Sequence, residues 1–206
     1  MLASSIAAVG SISRGMRPQV LPMPDEHPWL DNATDRTKGD PWGTIPGYGG
    51  SKALMEGMTK FVCRQNPQLD VINLRIAIII PKENANKPVK PPDSGTGLEA
   101  RLVWLAQMHE ADMMQCLDLA IRAKHKPGVR VLNAVAQHAI VAPGTSVPDV
   151  LREWYGEEAA NAIPGLSRYD EGGDLDGDHS IFDTQRCYDE IGFRSKRKVK
   201  VEEPHC

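Results

Sequence analysis

An α/β fold built on a parallel sheet is what this sequence predicts, and three observations predict it. Segments of strand and helix character alternate along the chain, which is the order that yields a parallel sheet with covering helices. The run at 71–80 is β-branched and apolar almost throughout, as strands buried on both faces are. The stretches around it carry apolar residues at helical spacing, so they can lie on such a sheet.

Taken in order, residues 2–9 read as a short buried strand ending in a turn at Gly10. Residues 11–47 are rich in Pro, Gly, Asp and Thr and read as a long loop, a kind of segment that is commonly functional. Over 51–64 the residues Leu54, Met58, Phe61 and Val62 recur at helical spacing and predict an amphipathic helix, with Pro67 just beyond its end. The run 71–80, closed by Pro81, is too short and too stiff at χ1 for a good helix and reads as one buried parallel strand. After a polar, Pro-rich loop over 82–97, two helices are expected at 98–108 and 112–124, the second with Met113, Leu117, Ala120 and Ile121 on one face. A strand is expected at 129–136 and a helix at 147–154, with a continuation over 157–162. Residues 170–178 form an acidic Gly-rich loop. Asp183 is a plausible N-cap for a last helix that Gly192 would end. The basic stretch 196–200 reads as a solvated tail.

With 206 residues the chain suits one domain, or one and a half, and can bury a real core. A formal net charge of -3 supplies no field to recruit nucleic acid or an anionic membrane. No apolar run approaches the roughly 20 residues needed to span a bilayer. Arg14 and Arg17 follow the apolar start of the chain, whereas a secretory leader places its basic residues first. The four cysteines, Cys63, Cys116, Cys187 and Cys206, are scattered without metal-ligand spacing. Cys63 and Cys116 fall in helical patterns and are expected to be buried thiols in a reducing, cytoplasmic setting. Asp174 to Asp178 lacks the glycine and glutamate positions of a calcium loop, and no two histidines stand at zinc spacing.

The chemistry is expected at Tyr48 and Lys52. Four residues apart on a helix, they share one face. A tyrosine is a poor proton carrier near neutrality because its pKa is about 10. A neighbouring ammonium favours the phenolate, and the pair can then exchange a proton with a substrate hydroxyl or carbonyl. Gly49 and Gly50 between them leave room for a ligand to approach the backbone. Ser4 and Ser5 stand at the carboxyl end of the preceding strand, where parallel sheets bind ligands. A hydroxyl there could hold a substrate oxygen against Tyr48.

Several pieces, in order along most of the chain, resemble the extended short-chain dehydrogenase/reductase superfamily, the NAD-dependent epimerases and dehydratases. The stretch from Ala3 to Gly10 is similar to the end of that family's fifth strand. Tyr48-Gly49-Gly50-Ser51-Lys52 followed by Glu56 resembles its catalytic helix. Leu74-Arg75-Ile76 resembles the next strand, which ends beside the nicotinamide. Asp112 and the helix after it resemble a later element, and Phe182-Asp183-Thr184 with Ile191-Gly192-Phe193 resembles the C-terminal helix and its ending. Leu74-Arg75-Ile76 and Arg101-Leu102-Val103-Trp104-Leu105 are similar to the uronate-dehydrogenase-like branch, from which the long stretch between Pro143 and His179 departs.

The resemblance implies a partial Rossmann-like, doubly wound parallel sheet with a small C-terminal substrate-binding part. Residues 1–142 would be the catalytic half of the nucleotide-binding domain and 143–206 its helical and loop extension. It also implies NAD or NADP as cofactor and a sugar, sugar acid or nucleotide sugar as substrate. Ser5 would polarise the substrate oxygen, Tyr48 would exchange the proton, and Lys52 would hold the cofactor ribose. Ile76 would lie beside the cofactor and Arg101 would grip a substrate carboxylate through its planar fork. Such a family also needs a first strand, a Gly-rich turn opening a helix, and an acidic residue for the adenine ribose. None stands in these 206 residues. The expectation is therefore a chain that begins at the fifth strand and is weakly active or inactive alone. Its alternative role is that of a binding module, self-associating or meeting a partner at an exposed sheet edge.

Overall fold

The computed structural model describes residues 1–9, 20–25, 44–87, 106–138, 146–169 and 180–199. Strand β1 (Leu2–Ser5) leads into a 3-10 turn (Ile6–Val9), so the strand expected over 2–9 is half as long as its apolar content suggests. Helix α1 spans Thr44–Gln65 and starts seven residues before the expected position. Three glycines in four residues hid its first turns, because glycine disfavours a helix. Pro46 is tolerated there because the first turn's N–H groups have no intrahelical partner.

The run 71–80 is two strands, not one. β2 (Asp70–Ile76) and β3 (Ile78–Ile80) are separated at Ala77, whose amide still donates to the Ala134 carbonyl at 3.3 Å. β4 (Gln107–His109) pairs with β3 in parallel. The helix expected over 98–108 is overturned at its end by β4, and the rest of it lies largely outside the described residues. Next come α2 (Glu110–Ile121), β5 (Gly128–Ala134), α3 (Val147–Tyr155), α4 (Glu157–Asn161) and α5 (Gln185–Ile191). The break between α3 and α4 is Gly156, at φ 81°, a conformation that glycine adopts without penalty. The acidic loop over 170–178 lies outside the described residues.

The main sheet has the order β1-β2-β5, all parallel. Ser4, Arg75 and Asn133 are register partners across it, and so are Ala3, Leu74 and Leu132. Strand residues alternate between faces, so one face carries a polar row and the other an apolar row. Four consecutive residues of β2, Ile72 to Arg75, are buried. That requires cover on both faces and fits the α/β class expected.

The apolar core gathers Leu74, Leu132, Met108, Met113, Cys116, Leu151, Phe182 and Cys187 with their neighbours. Cys63 and Cys116 are buried free thiols, as expected. Of the α2 face expected from spacing, Met113 and Ala120 are buried, whereas Ile121 is 71% exposed at the helix end. Thr184, not Asp183, is the N-cap of α5. The Asp183 carboxylate still accepts from the Gln185 amide at 2.8 Å, satisfying an end N–H from one residue earlier. Gly192 ends the helix in the left-handed region at φ 73°, as expected.

Candidate functional site

Helix α1 sits on the polar row of the sheet and is fastened to it in steps. At the first step Gly49 lies against the turn after β1, where a Cβ would come 2.5 Å from the Ala7 carbonyl oxygen. Only a residue without a side chain permits that approach. At the second, the Lys52 ammonium donates to the Ala3 carbonyl at 2.9 Å. At the third, Glu56 takes the Ser4 hydroxyl at 2.6 Å and the Arg75 guanidinium through both oxygens, at 3.0 and 2.8 Å. At the last, Asn73 donates to Thr59 Oγ1 at 2.8 Å.

This face is polar because its partners are polar. A charge buried in a strand costs several kcal/mol unless it is paired and hydrogen-bonded. Arg75 is satisfied by the fork on Glu56 and by the Asp25 carbonyl at 2.8 Å. Leu54, Met58, Phe61 and Val62, the apolar side of the predicted amphipathic helix, point outward, with Leu54 73% exposed. The helix is amphipathic as predicted, but the buried side is the other one.

Tyr48 and Lys52 stand on one turn, with the ammonium nitrogen 5.6 Å from the centre of the phenol ring. Tyr48 is half-exposed. Both residues lie within α1, not at its start. Ser5 closes β1 and is buried, and its hydroxyl accepts the Ala7 amide at 3.2 Å. Gly49, next to Tyr48, touches that same Ala7, so the turn after Ser5 and the turn bearing Tyr48 are in contact. Ile76 closes β2 as the register partner of Ser5 and is partly buried. Ser5, Ile76, Tyr48 and Lys52 are thus gathered around the ends of two neighbouring parallel strands. Arg101 lies outside the described residues.

Two functional-looking groups escaped the sequence reading. Glu56 and Arg75 stood in the quoted motifs, yet neither was given a task. A lone arginine inside a buried β-branched run signals a partner, and Glu56 lies one turn beyond Lys52 on the same face. Asp25 gave no such signal. Its carboxylate is buried, accepts the Asn133 amide at 2.8 Å, and is pushed up to about 6 by burial, against the opposing pull of that amide, Arg186 and Arg75. No cluster of three or more metal-ligating side chains occurs among the described residues. No helix among them is long and apolar enough to cross a membrane.

No protein-family profile matches this sequence, and no curated protein matches it. Among solved structures the chain is similar to UDP-glucose 4-epimerase from Bifidobacterium longum in complex with NAD+ and UDP. The identity is 18% over 73% of this chain and 50% of that one, with a TM-score of 0.42. It is also similar to MoeE5 in complex with UDP-glucuronic acid and NAD, at 18% identity over 95% of this chain and 59% of that one, with a TM-score of 0.43. The chain therefore spans between half and three-fifths of the length of these two proteins. Neither likeness is close enough to transfer an activity, so the functional reading rests on the residues.

Proposed function

We propose that Tyr48, Lys52 and Ser5 form the proton-handling end of an NAD- or NADP-dependent oxidoreductase or epimerase site acting on a sugar, sugar acid or nucleotide sugar. The observation that carries this reading is the contact of Gly49 with the Ala7 carbonyl, which sets the Tyr48–Lys52 turn against the carboxyl end of β1. That end is where ligands bind in parallel sheets. Ser5 holds the substrate oxygen, Tyr48 gives or takes its proton, and the substrate is oriented between them. The Lys52 ammonium has three donors and gives one to Ala3, which leaves two for the ribose hydroxyls of the cofactor. Ile76 offers an apolar contact at the end of β2. When bound, the nicotinamide supplies the hydride acceptor or donor. Arg101 would meet a substrate carboxylate. Residues 1–142 would supply the catalytic half and 143–206 its substrate-binding extension.

The residues here fit the nicotinamide-ribose end of such a cofactor. The phosphate cradle has no counterpart in these 206 residues, so turnover by this chain alone is expected to be weak or absent. The test is a titration with NADH and NADPH followed by nicotinamide fluorescence. Saturable binding that disappears in Lys52→Ala supports the reading. A folded sample that binds neither nucleotide refutes it for this chain.

A second reading, a binding module, is favoured by the outward apolar row of α1 and by β1, which pairs on one side only among the described residues. Concentration-dependent association in sedimentation experiments, without nucleotide binding, would select it.

A further inference from the structure

The basic stretch expected to be a solvated tail is docked. Beyond Gly192 the chain runs without regular structure through 193–199, and although Lys196, Arg197 and Lys198 are exposed, their backbone is held. Asp112, in the first turn of α2 and fully buried, accepts the Lys196 and Arg197 amides at 3.2 and 3.0 Å and the Arg197 guanidinium at 2.7 Å. Ser195 Oγ accepts the Gln137 amide at 3.0 Å.

The outer part of the segment is held by two histidines in opposite roles. His109 Nε2 lies 3.2 Å from the Lys198 carbonyl, and the Val199 amide donates to His138 Nε2 at 3.3 Å. A carbonyl only accepts, so His109 must carry its proton on Nε2. An amide only donates, so His138 Nε2 must be bare, with the proton on Nδ1. The docked segment therefore selects a proton on Nε2 of His109 and a neutral His138 with Nε2 bare.

We propose that these histidines form a pH-sensitive latch: Lys198 and Val199 stay docked while His138 is neutral and come away when it takes a proton, with the Asp112 contacts acting as the hinge. A protonated His138 would present a donor to the Val199 donor. The charged and titratable groups facing His138 are Lys198 on the segment, His109 at the end of β4 and Asp112 on α2. Burial first, then Lys198 and His109, hold its imidazole below the usual histidine range, and only Asp112 opposes them. Docking is thus complete above the ordinary histidine value of 6.5 and is lost as pH falls through the lower docked value. His109 is 4% exposed and its Nδ1 has no partner among the described residues. The Asp112 bonds involve neither ring and hold residues 196–197 throughout.

The test uses the full chain with 15N-labelled histidine. At neutral pH the NMR spectrum should give the Nε2–H tautomer for His109 and the Nδ1–H tautomer for His138. On acidification, Val199 amide protection, corrected for intrinsic exchange, should fall by up to about tenfold, the worth of one hydrogen bond, and follow the His138 titration. His138→Gln puts a neutral acceptor close to the Nε2 position and should keep Val199 protected in acid. An Nε2–H tautomer at His138, protection unchanged through its titration, or the same acid loss in His138→Gln would overturn the latch. If that variant does not fold, the tautomers and titration of the unaltered protein decide.

Discussion

The two longest helices among the described residues meet the rest of the molecule by opposite means. Helix α1 buries Gly49, Glu56, Thr59 and Cys63 and exposes Leu54, Met58 and Phe61, whereas α2 buries Met113, Cys116 and Ala120 within the apolar core. Apolar packing is non-directional and tolerates a small slide. Hydrogen bonds weaken steeply once distance and angle depart from their optimum. A helix held by paired charges and close backbone contact is therefore fixed in register, and α1 is the helix that carries Tyr48 and Lys52. Precision is placed where chemistry is proposed, and bulk cohesion elsewhere.

The comparison breaks first at Glu56. Glu56→Ala leaves the Arg75 guanidinium buried without its partner and should cost about 3–5 kcal/mol of stability, read from urea unfolding. Replacing both, as Glu56→Leu with Arg75→Met, should recover most of that loss; a double variant as weak as the single one would mean that the pair is not the fastening. Met113→Ala, on the buried face of α2, should cost about 2–5 kcal/mol through the lost contact and the cavity left behind. Gly49→Ala drives a methyl into the Ala7 carbonyl and should cost about 1–3 kcal/mol. Its nucleotide affinity should fall as well, whereas Met113→Ala should leave affinity unchanged, and equal losses in the two would erase the distinction between the helices.

Asp25 gives a pH signature. The folded chain keeps its proton up to about pH 6, while an unfolded carboxyl releases it near 3.8. Between those values the folded state binds more protons, so this group's contribution is full below the lower value and lost as pH rises through the upper one. Asp25→Asn should remove that descending component from the stability curve. A mutant curve parallel to the original would show that Asp25 does not titrate there. The smallest effect belongs to the outward row: Leu54→Gln should change stability by less than about 0.5 kcal/mol, and a larger loss would mean that this face is covered in solution.

The order of elements was legible because strand and helix periodicities differ and because Pro67, Gly192 and the β-branched run punctuate them. The orientation of α1 was not legible, since spacing shows which residues share a face and not which face is inward. That depended on Arg75 and Asn73, which lie in β2 and make the sheet beneath α1 polar. The split of the run at Ala77 left no mark in an unbroken apolar sequence, and β4 is too short to show a period. That Tyr48 and Lys52 share one helix face was readable from their spacing. Their fastening by Gly49, Ser4 and Glu56 was not, since it joins residues up to 52 positions apart.

The segment holding Leu21, Met23 and Asp25 also governs when the molecule can be completed. Leu21 bonds to Pro164, Met23 bridges to Phe182, and Asp25 caps the Asn133 amide 108 positions away. A nascent chain emerges N-terminus first. β1, α1 and β2 can come together early, but this short segment has no seat until residues 181–183, just before α5, have been made. Arg75 meanwhile lacks the Asp25 carbonyl that completes its hydrogen bonds. Assembly should thus finish late and slowly, as contacts distant in sequence dictate, and the half-built sheet would need shelter from aggregation while the ribosome finishes.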